Sequence, residues 1–414
     1  MSEFRVVVYA TKPYQEVFMR LFLCRFLVFS ILACAVFSTA AQASPSAEEL
    51  ALGDILSRAW AGRGYPEGKG GLTLLIRTPK GEYFASTVPG ATRDSHFRAA
   101  SVTKTTTAAA IMLLEQRGLL RLDDFITDTM PGQTEPYLPD TPGYAIPNKD
   151  RITIRLLLQH RAGVFDVPND IVPESVDAPY AGTTYVDWIS GAEPEHRYTI
   201  DELVGVVAKH GLLIAKPGEK YHYSNTGYSL LGKIIERVSG KALDVFLMEE
   251  FIIPLGMTET SFVTEGKLVT PPEPFIRGWT KVGGEYFDTT EDNASYGHAE
   301  GNMVTTFGDL ALWMRKLIRG EASVSPENAL RMLEVLPIAP GSRSSYGLGI
   351  SEEPPGLGFG HNGGIIGYFT IARYDPAADV TLVMLSSLID FDDMDGLGMA
   401  AYDAAFEARK VLGY

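Results

Sequence analysis

The chain has 414 residues, of which 45% are hydrophobic, and a formal net charge of -15. That much apolar material builds a large core in one big or two intergrown domains and excludes a disordered or fibrous chain. The acidic balance argues against nucleic-acid binding, because a phosphate backbone is held by clustered Lys and Arg.

The N-terminus reads as an address. Arg20 and Arg25 flank the start of an apolar run, Phe26 to Phe37, which ends in the small residues Ala40-Ala41-Gln42-Ala43. This is the pattern of a secretory signal, so residues 1–43 are expected to be removed after Ala43 and the chain 44–414 exported to the periplasm or the medium. Met19 is the alternative translation start. Both cysteines, Cys24 and Cys34, lie inside this segment, which predicts no disulfide in the mature chain. Ile31-Leu32-Ala33-Cys34 is a near miss to a lipoprotein signal, but Leu32 is bulky for its place, so lipid anchoring through Cys34 is the lesser alternative. No other apolar stretch reaches the ~20 residues of a membrane span.

Ala47 to Ala61 is helix-like. Leu72 to Ile76 and Tyr83 to Val88 flank the turn residues Pro79-Lys80-Gly81, which predicts a β-hairpin. From Ser101 onward the apolar residues Ala108, Ile111 and Met112 fall three and four apart, and Gly118 sits where a helix C-terminal glycine belongs. Ser101 therefore lies where a strand passes into a helix. Short helical patterns follow at Ile154 to His160, Ile200 to Lys209 and Tyr228 to Ser239, between long loops. Thr306 to Arg319 reads as a helix, Gly347 to Ile350, Gly364 to Tyr374 and Val380 to Ser387 as strands, and Met394 to Val411 as a last helix. Strands at both ends with helices between them predict an α/β fold of the α+β type. One antiparallel sheet is built from about 44–118 and 300–414 and flanked by helices, with a mainly helical lobe at about 119–299.

Three constellations carry chemistry. In Ser101-Val102-Thr103-Lys104, residues three apart share a helix face, about 5–6 Å apart at Cβ, which sets an amine beside a hydroxyl. A Lys near a second cation, and partly desolvated, loses basicity and can act as a base. In Tyr223-Ser224-Asn225, a loop tip running into a helix projects a phenol that accepts a proton if nearby cations favour the phenolate; Ser and Asn are also ordinary helix caps. In Gly360-His361-Asn362-Gly363-Gly364, glycines let a substrate approach the backbone, and His361 supplies a donor or a positive charge. The histidines show no metal spacing such as H-E-x-x-H. The formal dinucleotide fingerprint Gly358 to Gly363 is followed by strand rather than helix and is set aside. The acidic group Asp390, Asp392, Asp393 and Asp395 lacks calcium-loop spacing and is read as capping the last helix.

In order, S-V-T-K, Y-S-N and H-N-G resemble the three active-site motifs of the serine β-lactamase and DD-peptidase superfamily, in its class C β-lactamase and D-alanyl-D-alanine carboxypeptidase branch. Leu157 to Val164 is similar to the family's L-L-x-H-x-S-G-L segment, and Tyr346-Gly347-Leu348-Gly349 also matches. The resemblance implies that Ser101 is the nucleophile, Lys104 its base and Tyr223 the proton shuttle. It places the oxyanion hole at the N–H groups of Ser101 and Gly364, and substrate contacts at Asn225, His361, Asn362, Gly363 and Gly364. It implies no cofactor or metal and a peptide or small-molecule substrate, such as a peptidoglycan stem peptide or a β-lactam. Two departures bear on substrate: Ser351 follows Ile350 where carboxypeptidases of this branch carry a carboxylate-binding arginine, and Asn362 replaces a hydroxyl residue. The expected activity is carboxypeptidase-like, with a β-lactamase or esterase, or a non-catalytic peptide binder, as alternatives.

Overall fold

Ser46 and Glu49 cap each other's backbone N–H groups and start α1 (Ala47–Ala61), with the bounds the sequence predicts. The structure is a computed structural model that describes residues 44–263, 270–352 and 355–414. The signal segment, with Met19, Cys24 and Cys34, lies outside the described residues.

The hairpin of β1 (Leu72–Thr78) and β2 (Gly81–Ser86) closes around Pro79 and Lys80, with Thr78 paired to Gly81. The chain then runs through β3 (Phe97–Arg98), β4 (Ser261–Phe262), β5 (Trp279–Val282), β6 (Glu285–Asp288) and β7 (Met303–Thr305). It returns to the main sheet as β8 (Leu336–Pro337), β9 (Ser345–Tyr346), β10 (Ser351–Glu352), β11 (Phe359–Ile365), β12 (Tyr368–Asp375) and β13 (Val380–Ser386), before β14 (Leu388–Asp390). The main sheet has eight strands in the order β2-β1-β13-β12-β11-β10-β9-β8, antiparallel throughout. Two three-stranded sheets, β3-β7-β4 and β14-β5-β6, supplement it. They show that the segment 119–299 is helical but not purely so.

Alternation along the strands sends side chains to two cores. Leu72, Leu74, Ile76, Ile371, Leu382 and Met384 meet α1 and the alanines Ala401, Ala404, Ala405 and Ala408 of helix Met394–Val411. Leu75, Ala372, Val383 and Leu385 join the larger core, which includes helix Phe307–Ile318 and α2 (Lys104–Gln116). Each fully buried aliphatic side chain contributes about 1.5–3 kcal/mol. The last helix is capped by Asp393, whose side chain accepts the Gly396 N–H, whereas Asp390 of the same acidic group accepts from Lys281 and Asp392 from the Gly283 and Gly284 N–H groups. Among the described residues no helix is long and apolar enough to cross a membrane.

Two predicted strands are corrected. Gly347 to Ile350 is a tight loop between β9 and β10, closed by the Gly347 N–H donating to Ile350 O and turned at Gly349 with φ +71°. Gly364 to Tyr374 is split by a turn at Gly367, φ +83°, so its first residues end β11 and the rest form β12. An apolar run such as Ile365-Ile366 hides a turn when the backbone reversal rests on one glycine.

The sheet places Ser101 by close contact. Ala100 has φ +51°, a left-handed conformation costly for a residue with a Cβ, and it turns the chain from β3 into a 3-10 turn (Ala100–Thr103) that leads to α2. Gly363 on β11 lies against this turn: a Cβ there would sit 2.3 Å from Ala99 O, 2.9 Å from Ala100 Cβ and 3.1 Å from Ser101 N. Replacing Gly363 by Ala must push β11 off the serine. Thermal or denaturant unfolding should show a loss of about 1–3 kcal/mol, together with a fall in turnover; an unchanged midpoint would contradict this packing.

Candidate active site

α2 begins at Lys104, one helical turn after Ser101, and carries the lysine to zero exposure. Its Nζ lies 3.1 Å from Ser101 Oγ, 2.6 Å from Asn225 Oδ1 and 2.9 Å from the Glu300 carbonyl oxygen. Asn225 opens α6 (Asn225–Ser239) just after the N-cap Ser224, whose side chain accepts the Gly227 N–H. The Y-S-N motif is therefore both a helix start and a site. Tyr223, in the loop before it, lines the same cavity as Ser101, and Lys104 Nζ sits 4.8 Å from the centre of its ring. Serine, amine and phenol are thus brought together.

Two acidic groups that sequence reasoning missed support this trio. Asp166, 2% exposed, accepts the Asn225 backbone N–H at 3.0 Å and its side-chain amide at 3.2 Å. The amide thereby turns its oxygen to Lys104. Glu300, in the short helix His298–Gly301, is 3% exposed and meets Ser229 Oγ at 3.0 and 3.1 Å. The only sequence signals were Asp166 just beyond the Leu157 to Val164 segment and an acid inside the small-residue run Ala299 to Gly301.

On the opposite side, β11 brings His361, Asn362 and Gly364 to the same cavity, which holds about 550 Å³ beside Ser101. Gly363 does not line it; its missing side chain serves the contact of β11 with Ser101 rather than a substrate's approach. Both nitrogens of His361 are engaged: Nε2 meets the Tyr346 hydroxyl at 2.8 Å, and Nδ1 donates to Asn362 O. Arg373, fully buried on β12, donates to Ser351 O at 3.0 Å, Ser351 Oγ at 2.9 Å and Asn362 Oδ1 at 2.6 Å. An arginine therefore reaches Ser351 from another strand, but it lies beneath the sheet surface rather than in the cavity. Among the described residues lining the cavity none is Lys or Arg, whereas Asp187 and Glu300 are acidic.

The Beta-lactamase family model matches residues 66–405. The chain belongs to this family of serine hydrolases. Penicillin-binding protein 4* of Bacillus subtilis (strain 168) is 32% identical over 169 residues, covering 40% of this chain and 30% of that protein. The chain spans between 30% and 49% of the length of the first curated relatives it matches. Among solved structures, the D-amino acid amidase from Ochrobactrum anthropi SV3 complexed with D-phenylalanine has 26% identity and a TM-score of 0.67, over 88% of this chain and 99% of that one. The D-stereospecific amidohydrolase from Streptomyces sp. shares the fold, with 24% identity and a TM-score of 0.70 over 86% and 98%.

Within this Beta-lactamase family frame the electrostatics differ from the sequence expectation. No second cation lowers Lys104: burial does so, to about 7, while Glu300 and Asp166 oppose it. Burial raises Glu300 to about 8 and Asp166 to about 6. Tyr223 is pushed well above its ordinary value, first by burial, so it stays a phenol at neutral pH and not the phenolate that nearby cations were expected to favour. His361 is lowered to about 3 by burial and then by Lys104, so it carries no positive charge at neutral pH. Of the three groups brought near neutrality, Lys104, Glu300 and Asp166, the Lys104 amine is the one in hydrogen-bond contact with Ser101 Oγ. The neutral amine predominates above its lowered value and vanishes below it, so kcat/KM should rise through about pH 7 and fall about tenfold per unit on the acid side. A flat profile from about pH 5 to 9 would rule out Lys104 as the base.

Proposed function

We propose that this protein is an exported serine amidase or esterase that acylates Ser101 with peptide-like substrates bearing no free carboxylate next to the scissile bond. The observation that carries the reading is the cavity wall: among the described residues it has hydrogen-bonding groups and acids around Ser101 but no lysine or arginine, Lys104 lying buried behind the serine. A carboxylate-terminated substrate would lose its hydration there without gaining a cation. The D-amino acid amidase likeness supports amide hydrolysis. Likeness to a penicillin-binding protein and to a putative D-alanyl-D-alanine carboxypeptidase, within the Beta-lactamase family, keeps a carboxypeptidase-like or β-lactamase-like activity as the second reading. The leader ending at Ala43 supports action outside the cytoplasm.

In this mechanism the Lys104 amine takes the Ser101 proton as Oγ attacks the carbonyl carbon. The oxyanion is received by the N–H groups of Ser101 and Gly364, and Asn225 holds the substrate's acyl-side amide. Tyr223 gives its phenolic proton to the departing amine or alkoxide and recovers one from the Lys104 ammonium. Water then attacks the acyl-enzyme ester by the reverse proton path and releases the acid.

The test is intact mass and turnover of wild type and Ser101→Ala with three probes: a neutral activated ester, D-phenylalanine amide and benzylpenicillin. The expected result is turnover of the ester and the amide by wild type alone, with benzylpenicillin neither trapped nor consumed at a comparable rate. A lasting penicillin adduct on Ser101 would establish the peptidase reading, consumed penicillin the β-lactamase reading, and full turnover by Ser101→Ala would remove the serine from the chemistry.

A further inference from the structure

His160, Tyr346 and His361 form one hydrogen-bonded row whose proton positions are set from its two ends. At one end the Ser224 backbone N–H, which can only donate, points at His160 Nδ1 at 3.0 Å. Nδ1 is therefore the acceptor, and His160 carries its hydrogen on Nε2, which faces the Tyr346 hydroxyl at 3.2 Å. At the other end the Asn362 carbonyl, which can only accept, faces His361 Nδ1. That nitrogen holds the hydrogen, so His361 Nε2 is a bare lone pair, and it lies 2.8 Å from the Tyr346 hydroxyl. Tyr346 receives from His160 and donates to His361, leaving no conflict along the row. The neighbouring Tyr228 hydroxyl is spent on Leu158 O at 2.8 Å.

We propose that Tyr346 is a specificity-determining positioning residue: with the Asn362 carbonyl holding the Nδ1 hydrogen, its hydroxyl occupies Nε2, so that His361 has no hydrogen to offer the cavity and withholds the cation that a carboxylate substrate would need. This rests on the proposed preference for substrates without a free carboxylate. The choice of tautomer goes against the Nε2–H form favoured by imidazole in water, so the surroundings must impose it. The other groups facing His361 reinforce neutrality. Lys104 on α2 and Arg373 on β12 both disfavour a second positive charge. Tyr223 is a half-buried phenol 6.3 Å away between ring centres, and Tyr346 packs edge-on at 5.5 Å. Removing the Tyr346 hydroxyl leaves Nε2 without its donor, and the lone pair then gains most by binding a proton, above all when a carboxylate enters the cavity.

The experiment has two parts. In the wild-type protein, 15N-labelled at histidine, two-bond 1H–15N correlation reads each ring's tautomer, and the His361 signals are assigned by their loss in His361→Gln. The expected spectrum shows His361 as Nδ1–H and His160 as Nε2–H, with His361 unchanged between about pH 5 and 8. An Nε2–H or titrating His361 in wild type overturns the proposal without any variant having to fold. In Tyr346→Phe, kcat/KM is compared for two esters identical except for a free carboxylate against a carboxamide. The ratio of the two should move at least tenfold toward the carboxylate, and further as pH falls, whatever the change in overall rate. A ratio equal to wild type at all pH values sinks the proposal. If wild type itself prefers the carboxylate ester while His361 is the neutral Nδ1–H form, the substrate reading fails separately from the tautomer.

Discussion

A lysine with no access to water sets the terms for this molecule. When charged, Lys104 Nζ has three hydrogens, and each one left without an acceptor in the interior would cost about 1–3 kcal/mol. Its three neighbours come from three stretches of chain: Ser101 one turn back, Asn225 at 121 residues' separation and the Glu300 carbonyl at 196. α2, α6 and the His298–Gly301 helix must therefore converge on one point. Asp166 is drawn in because Asn225 can show its oxygen to the lysine only if its amide hydrogens are accepted elsewhere. The same burial that makes the packing obligatory lowers the amine's basicity to about 7. Structural demand and chemical use coincide in one side chain.

Across the cavity the polar groups are arranged to cancel rather than concentrate charge. His160 and Tyr346, 186 residues apart, tie the segment after α3 (Ile154–Leu158) to the edge of the main sheet, and His361 completes the row from β11. Arg373 spends its donors on Ser351 and Asn362 beneath the sheet. Because guanidinium only donates, it is the Asn362 side-chain oxygen that meets Arg373. The nucleophile thus faces a wall rich in hydrogen bonds and, among the described residues, without Lys or Arg, while Lys104 is held behind it.

Local chemistry made much of this legible. α1 and the helix Met394–Val411 were read to the residue because their boundaries rest on short-range capping by Ser46, Glu49 and Asp393. The Ser101–Lys104 pair was legible because a helix fixes which residues share a face. The errors came where geometry depends on single glycines: Gly349 and Gly367 reverse the chain inside runs that look like strand. Gly363 was read as a place where a substrate approaches the backbone; what approaches it is the chain at Ala99 to Ser101.

By itself the sequence determined the antiparallel sheet drawn from both chain ends, the helix-mounted serine and lysine, and the order of the three motifs, since each follows from periodicity and spacing within a few residues. Only the tertiary structure decided that Lys104 is fully buried, that Tyr223 stays a phenol, that His361 is neutral and that Asp166, Glu300 and Arg373 belong to the site. These properties depend on which groups meet in the interior and on the water they lose there. Desolvation and remote partners leave no pattern along the chain, so no reading of neighbours in sequence could supply them.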